Sequence, residues 1–175
     1  MILISYGYVL IAIIIGLFFI TMALFAILKP INNYMGVYNI HKKLKSFLGD
    51  NKTIKLFRYT RKPYNYELVL RSRRYYISLL SNPHNYDVHF MDEKFYFMDK
   101  NLKVKREIHL DDFISFEPEI DKNRETRKLL IVYPNTNFIY NHLGVDNIVY
   151  VYMGDTVGGI DIVSATDFLN LEELD

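Results

Sequence analysis

The sequence predicts an α/β protein in which a single N-terminal transmembrane helix precedes one small mixed α/β domain with a central β-sheet. Two observations support this prediction. Residues 2–28 contain no charged side chain, and about 20 apolar residues in a helix cross the roughly 30 Å hydrocarbon core of a bilayer. Beyond them, short apolar runs separated by turn residues indicate strands, and helical periodicity returns only near the two ends of this part of the chain.

The charges that flank the apolar run predict its orientation. No Lys or Arg precedes the run, whereas Lys29, Lys42, Lys43 and Lys45 follow it. Positive charge collects on the cytoplasmic side of a membrane, so we expect an outside N-terminus, a cytoplasmic C-terminal domain and single-pass localisation in the cell membrane. The run is longer than the apolar part of a signal peptide and lacks a basic start, which favours an uncleaved anchor. The lipid bilayer is therefore the first predicted partner.

The chain divides into a transmembrane anchor (1–30), a juxtamembrane amphipathic helix (31–50) and a cytosolic α/β domain (51–175). The second segment is predicted to be helical because its apolar positions recur at helical spacing, with lysines between them and Gly49 as a stop signal. Its apolar face either packs on the domain or lies on the membrane surface. The positions of this face are Tyr34, Val37, Tyr38, His41, Leu44 and Leu48.

The domain reads as antiparallel strands followed by two buried strands and a helix. The Ser72-Arg73 step is short enough for a hairpin between the second and third strands. The continuous apolar runs 129–133 and 147–152 are typical of strands buried on both faces, and Thr166 or Asp167 can cap the last helix. Residues 111–128 form either a helix or a long loop. The first six predicted strands cover residues 53–59, 66–71, 74–80, 86–90, 94–98 and 103–109.

Four segments of the domain carry a resemblance. Residues 129–135 (LLIVYPN), 148–152 (IVYVY) and 167–171 (DFLNL) follow one another as a strand, a strand and a short helix, and residues 67–80 (ELVLRSRRYYISLL) form the predicted hairpin. In this order they resemble nuclease-related domains, a NERD-like family of the restriction-endonuclease-like group. The resemblance covers about residues 34–174. It implies a nuclease-like scaffold with an acidic residue on one strand and an E-x-K motif about ten residues later on the next.

The catalytic motif of that family is not retained. Glu67 stands where the first acid is expected, but the E-x-K positions fall on Ser78, Leu79 and Leu80. Such nucleases hold a divalent metal with carboxylates and use a lysine to orient water. The resemblance therefore implies a degenerate, inactive copy in which Glu67 is a solvent-facing strand residue paired with a nearby arginine. If the protein is active instead, Glu67 is the catalytic candidate.

Candidate metal ligands follow the hairpin in the sequence. His84, Asp87 and His89 are the strongest set, because Asp87 and His89 share one face of a strand. Surface or structural roles for the three are the alternative, and the acids Asp92, Glu93, Asp111 and Asp112 can join such a site. The glycines of residues 154–159 lack the Lys-Ser/Thr of a phosphate loop, which favours a tight turn.

Basic residues provide the last candidate surface. The formal net charge is only +1, so no global field attracts nucleic acid. Locally, arginines alternate with tyrosines at the predicted hairpin tip, a combination that holds phosphates and stacks bases, and the same tip can contact anionic lipid. The residues predicted to contact nucleic acid or lipid are Arg71, Arg73, Arg74, Lys103 and Lys105.

Three functions are compatible with these features. The first is a membrane-anchored cytosolic domain with a non-enzymatic binding or scaffolding role, for a protein partner or nucleic acid, on a degenerate nuclease-like scaffold. The second is an active, tethered metal-dependent nuclease or phosphodiesterase, the only alternative that needs a divalent metal as cofactor. The third is a structural envelope protein. A clustered basic face would favour nucleic acid or lipid, and an exposed tyrosine-rich apolar patch would favour a protein partner.

Overall fold

The computed structural model describes residues 2–48, 55–82, 84–119, 123–134, 136, 138–144, 147–152, 154–172 and 174; side chains are described for these residues except 2–10, 12, 29, 32, 33 and 55. The predicted stop at Gly49 and the predicted strand start at Thr53 lie outside the described residues. The helices are α1 (Ile2–Ser46), α2 (Asp111–Ile114) and α3 (Ala165–Asn170). The strands are β1 (Lys55–Arg58), β2 (Tyr66–Val69), β3 (Arg73–Asn82), β4 (Asp87–Met91), β5 (Lys94–Met98), β6 (Val104–Ile108), β7 (Glu125–Pro134), β8 (Ile139–His142), β9 (Ile148–Tyr150), β10 (Thr156–Val157) and β11 (Ile160–Ser164).

The strands form two sheets, which we call sheet A and sheet B. Sheet A has the order β1-β2-β3-β7-β11-β10, and sheet B has the order β6-β5-β4-β8-β9. In sheet A, β3, β7 and β11 are parallel, while β1, β2 and β3 form an antiparallel meander. In sheet B, β4 and β8 are parallel and the other pairs are antiparallel. The predicted mixed α/β composition is confirmed, and the predicted single central sheet is wrong.

The chain passes from sheet A to sheet B between β3 and β4. The side chain of Asn82, buried at the end of β3, accepts a hydrogen bond from the Tyr86 N–H (3.1 Å) and donates one to the Tyr86 carbonyl (2.7 Å). These two bonds link the end of β3 to the residue that precedes β4. The parallel pairing of β3 with β7 is then repeated by β4 with β8. A pattern of apolar runs cannot show this change of sheet.

Each face of sheet A packs against a different layer. Between the sheets lies an apolar core that includes Val88, Phe95, Leu130 and Ile160, all completely buried. On the opposite face of sheet A, the end of α1 and α3 cover a second core. The architecture is therefore a layer of helices, sheet A and sheet B, and sheet B has one face without a covering layer of helices or strands among the described residues.

The first helix differs from its prediction. Its described side chains between residues 11 and 28 are exposed and, except for Thr21, apolar, yet within the described residues no helix combines the length and the hydropathy that crossing a membrane requires. The predicted transmembrane helix is therefore wrong, and so is the single-pass localisation with an outside N-terminus and a cytoplasmic domain. The prediction took Lys29-Pro30 as the end of a separate apolar segment, whereas α1 continues through Pro30 as one helix of 45 residues.

The last turns of α1 are part of the folded domain. Ile40 and Leu44, one helical turn apart, are completely buried in the second core. A Cβ built on Gly36 would lie 3.1 Å from the Tyr133 ring, which shows how closely the helix approaches β7. The predicted apolar face of this segment differs from the face that the structure buries, because Tyr38 belongs to the predicted face and is exposed. Periodicity fixes the repeat of an apolar face but does not fix which tyrosines it buries.

Candidate functional site

Glu67 is buried in β2, where its carboxylate contacts the side chains of Arg74 and Tyr59. Only 6% of the residue is exposed, its Oε1 lies 2.8 Å from Nη2 of Arg74, and its Oε2 accepts a hydrogen bond of 3.1 Å from the Tyr59 hydroxyl. The predicted pairing with an arginine is confirmed, while the predicted solvent-facing position is wrong. Because both carboxylate oxygens accept hydrogen bonds and a guanidinium lies beside them, the surroundings of Glu67 oppose binding of a cation.

The positions that would carry the E-x-K motif lie deep in β3. In the ladder between β2 and β3, Glu67 is opposite Tyr76. Ser78 and Leu80 are buried, and Leu79 is half-buried. None of these side chains is a carboxylate or an amine, so the hairpin does not place a second acid beside Glu67.

The predicted metal ligands are not assembled into one site. Asp87 and His89 lie on one face of β4 as the alternation of strand residues predicts. His84 lies in the preceding turn, is exposed, and stacks on Tyr86 with ring centroids 5.4 Å apart. Within the described part of the chain, no three His, Cys, Asp or Glu side chains are grouped as metal ligands.

His89 instead forms a pair with His142, a residue that the sequence analysis missed. Nδ1 of His89 lies 2.8 Å from Nε2 of His142, so the N–H of one ring donates a hydrogen bond to the nitrogen of the other. His89 is completely buried and stacks on Tyr140, and its Nε2 has no partner. Burial, and then the charge of His142, lower the pKa of His89 to about 4. The only signal in the sequence was the alternation of Phe138, Tyr140 and His142 along one face of a short strand.

Burial also shifts the pKa values of two acidic groups beside this histidine pair. It raises the pKa of the Asp87 carboxyl, although the Phe138 backbone N–H donates a hydrogen bond to it. Burial and a hydrogen bond with Tyr150 raise the pKa of Tyr140 to about 12. In this polar strip on sheet B, burial therefore disfavours the charged forms of His89, Asp87 and Tyr140.

The five predicted basic contact residues do not form one surface. Arg71, Arg73 and Arg74 lie at the β2–β3 hairpin of sheet A, whereas Lys103 and Lys105 lie at the β6 edge of sheet B. Nε of Arg73 is 3.1 Å from a Glu125 oxygen, Arg74 pairs with Glu67, and Nζ of Lys105 is 2.8 Å from Asp99. Three of the five are ion-paired, and the five are divided between two sheets. They therefore do not form the single basic face that would favour nucleic acid or lipid.

The glycine-rich segment is a tight turn, as predicted. Gly158 and Gly159 connect β10 to β11 with φ values of 57° and 77°, and Val157 pairs with Ile160 across the turn. A Cβ on Gly158 would lie 2.9 Å from Cζ of Phe90, so the turn also packs closely on sheet B. Its glycines serve backbone geometry and packing.

The strongest candidate site is the exposed edge of sheet B at β9. The sequence predicted a strand buried on both faces here, and that prediction is wrong. Ile148, Val149 and Tyr150 are 39%, 37% and 50% exposed, and among the described strands β9 pairs with β8 alone. An edge strand and a central strand can have the same apolar composition. Burial of such a segment depends on which strands lie beside it.

Hydrogen-bond alternation shows which backbone groups of β9 are open. The N–H of Leu143 donates to the Asn147 carbonyl and the N–H of Val151 donates to the Ile139 carbonyl, both at 2.9 Å. In an antiparallel ladder every second residue faces the partner strand. The N–H and C=O groups of Ile148 and Tyr150 therefore point away from β8, toward the open edge.

Aromatic side chains accompany this edge. The ring centroid of Tyr150 lies 4.8 Å from that of Tyr140 and 5.6 Å from that of Phe138. Phe138 and Tyr152 are themselves 51% and 71% exposed. Together with Ile148, which lies on the same face of β9 as Tyr150, they expose tyrosine-rich apolar surface of the kind expected for a protein partner.

The other sheet edges are protected in ways that β9 is not. Soluble proteins place charges on edge strands or shorten them to prevent pairing with other chains. β6 carries Lys105 and Arg106, β1 carries Arg58, and β10 has only two residues. Among the described strands, β9 is the edge longer than two residues that has no charged side chain.

Comparison of the chain with protein-family models, with curated proteins and with solved structures found no match. The resemblance to nuclease-related domains therefore stays a prediction, and function is argued from the geometry of the chain itself.

Proposed function

We propose that the protein is a non-enzymatic binding module that captures an extended segment of a protein partner along β9. The observation that supports this proposal is the uncharged, exposed edge strand with its open backbone groups at Ile148 and Tyr150. Addition of a strand to a sheet edge is a common mode of peptide recognition, in which main-chain hydrogen bonds supply affinity and side-chain pockets supply specificity.

The chemistry elsewhere agrees with binding rather than catalysis. The carboxylate of Glu67 is held by Arg74 and Tyr59, so it is not available as a metal ligand in this arrangement. The basic residues that would hold nucleic acid are divided between two sheets, and Arg73, Arg74 and Lys105 are ion-paired. By contrast, β9 offers a partner open backbone groups and apolar side chains, and none of these is held in an ion pair.

Strand addition at β9 requires a hydrogen bond from one backbone group in particular, the N–H of Ile148. The Ile148 N–H points toward the open edge, so a proline at 148 removes a donor to the partner while leaving the ladder with β8 intact. Proline is tolerated on edge strands in this orientation. Ile148→Ala is the matched control, because it shortens the same side chain but keeps the N–H.

The experiment is selection of a phage-displayed library of seven-residue peptides on the full chain. We expect enriched peptides that bind the wild type and Ile148→Ala with affinities within about threefold, and that bind Ile148→Pro at least tenfold more weakly. A tenfold loss corresponds to about 1.4 kcal/mol, the size of one net hydrogen bond. Enriched peptides that bind Ile148→Pro as well as Ile148→Ala, or failure to enrich any peptide, would overturn the proposal.

A further inference from the structure

A cavity of about 560 Å³ opens beside β9, between the ends of β8 and β9 and the start of α3. Phe138, Tyr150 and Tyr152 contribute to its walls, and Asp167 is the one charged residue among the described residues that line it. Its volume falls in the range of ligand pockets, which combine apolar walls with a few placed polar groups. We call this cavity the β9 pocket.

The side chain of Asp167 is held in position by hydrogen bonds with Ser164. Its backbone N–H donates to the Ser164 hydroxyl oxygen at 3.0 Å, and the Ser164 hydroxyl donates to Oδ2 at 2.7 Å. Within the part of the chain that the structure describes, no Lys or Arg forms an ion pair with it. Asp167 also lines an adjoining cavity of about 460 Å³, again as the one charged lining residue.

The charge at this end of β9 is negative. The carboxylate of Asp155 accepts a hydrogen bond of 2.8 Å from the Tyr152 N–H, directly after the open part of the strand. Asp155 thus closes the edge beyond Tyr150 and adds a second acid near the β9 pocket. A partner segment that pairs with Ile148 and Tyr150 therefore meets aromatic rings and carboxylates where the pairing stops.

We infer that the β9 pocket receives a lysine or arginine side chain of the segment that pairs with β9. This inference rests on the proposed strand addition and specifies its partner. A long basic side chain places its methylene groups against the rings, its charge over their faces, and its end near the carboxylate of Asp167. An acidic side chain or a phosphate would be repelled by the exposed carboxylate of Asp167, and an apolar side chain would offer this carboxylate no hydrogen-bond donor.

The test uses the peptides enriched from the seven-residue library. We expect Lys or Arg at one fixed position, and an approximately tenfold loss of affinity when that residue is replaced by norleucine, which keeps the apolar stem. Asp167→Asn should cause a similar loss for the basic peptide and almost none for the norleucine peptide. The asparagine keeps an oxygen for the Ser164 hydroxyl, so the start of α3 is preserved.

Asp112→Asn is the control, because Asp112 is an exposed acid on α2 that does not line the pocket. Enriched peptides that need the Ile148 N–H but show no basic position would overturn the pocket inference and leave the proposed function standing. Concentration-dependent dimers that Ile148→Pro abolishes, with no basic peptide enriched, would make a second copy the occupant and also overturn it. Loss of all dependence on Ile148 would overturn both proposals.

Discussion

Mild acid should destabilise this protein through His89. The ring is completely buried, and its pKa is lowered to about 4 in the folded chain, against an ordinary value of 6.5. Between these two values the unfolded chain binds a proton that the folded chain excludes. Stability is therefore complete above about pH 6.5 and falls as the pH decreases toward 4.

The structure sets the size of this loss. The two pKa values of His89 differ by about 2.5, and each pKa unit corresponds to 1.36 kcal/mol. The resulting loss in the free energy of unfolding is about 2 kcal/mol at pH 5 and about 3 kcal/mol at pH 4. For a urea dependence of about 2 kcal/mol per molar, the midpoint should fall by about 1 M between pH 7.5 and pH 5.

The assay compares urea unfolding of the full chain with that of His89→Phe at several pH values. Phenylalanine keeps an aromatic ring against Tyr140 but cannot titrate. Both chains share the acid sensitivity of their carboxylates, so the difference between them isolates the histidine. We expect the wild type to lose about 2 kcal/mol more than His89→Phe between pH 7.5 and pH 5.

The groups around His89 act in two directions. The charge of His142 raises the cost of protonating His89. Burial raises the pKa of the Asp87 carboxyl, so Asp87 partly offsets the loss of stability in acid, but His89→Phe keeps Asp87 and the comparison removes this contribution. Parallel pH profiles for the two chains would refute the reasoning. So would an NMR titration in which His89 takes up its proton near pH 6.5 in the folded state.

Two further substitutions test packing and charge. Gly158→Ala should destabilise the fold by about 1–3 kcal/mol, because the new Cβ meets the Phe90 ring at 2.9 Å and φ is positive. Glu67→Gln should destabilise it by about 2–3 kcal/mol, because Arg74 loses its anionic partner in a largely buried position. Urea unfolding at pH 7.5 measures both changes.

Each of these substitutions has a matched control elsewhere in the chain. Gly144→Ala adds a Cβ with no atom within 4 Å, and Glu107→Gln breaks a more exposed ion pair with Lys94. Gly144→Ala should change stability by less than about 1 kcal/mol, and Glu107→Gln should change it much less than Glu67→Gln does. A Gly158→Ala effect no larger than that of Gly144→Ala would contradict the close packing of the turn. Equal effects of the two glutamate substitutions would contradict the buried position of Glu67.

The sequence predicted local features more successfully than relations between distant segments. The hairpin around Ser72-Arg73 and the turn at Gly158 depend on neighbouring residues, and both are present. The helix cap is Ser164 rather than Thr166 or Asp167, a shift of a few residues along the same turn. The pairing of His89 with His142 joins residues 53 positions apart, and it requires knowledge of which strands are adjacent.

The candidate site at β9 shows why the remaining features could not be predicted. The apolar segment 147–152 has the composition of a central strand, and only the missing neighbour beyond β9 makes it an open edge. Asp167 likewise appeared as a helix cap, and its place in the β9 pocket depends on the return of β11 and α3 beside β8 and β9. Sequence patterns report what a segment can bury, whereas topology decides what it leaves exposed. The exposure of an uncharged strand next to Asp167 is therefore a property of the fold, and it is the property on which partner recognition is proposed to depend.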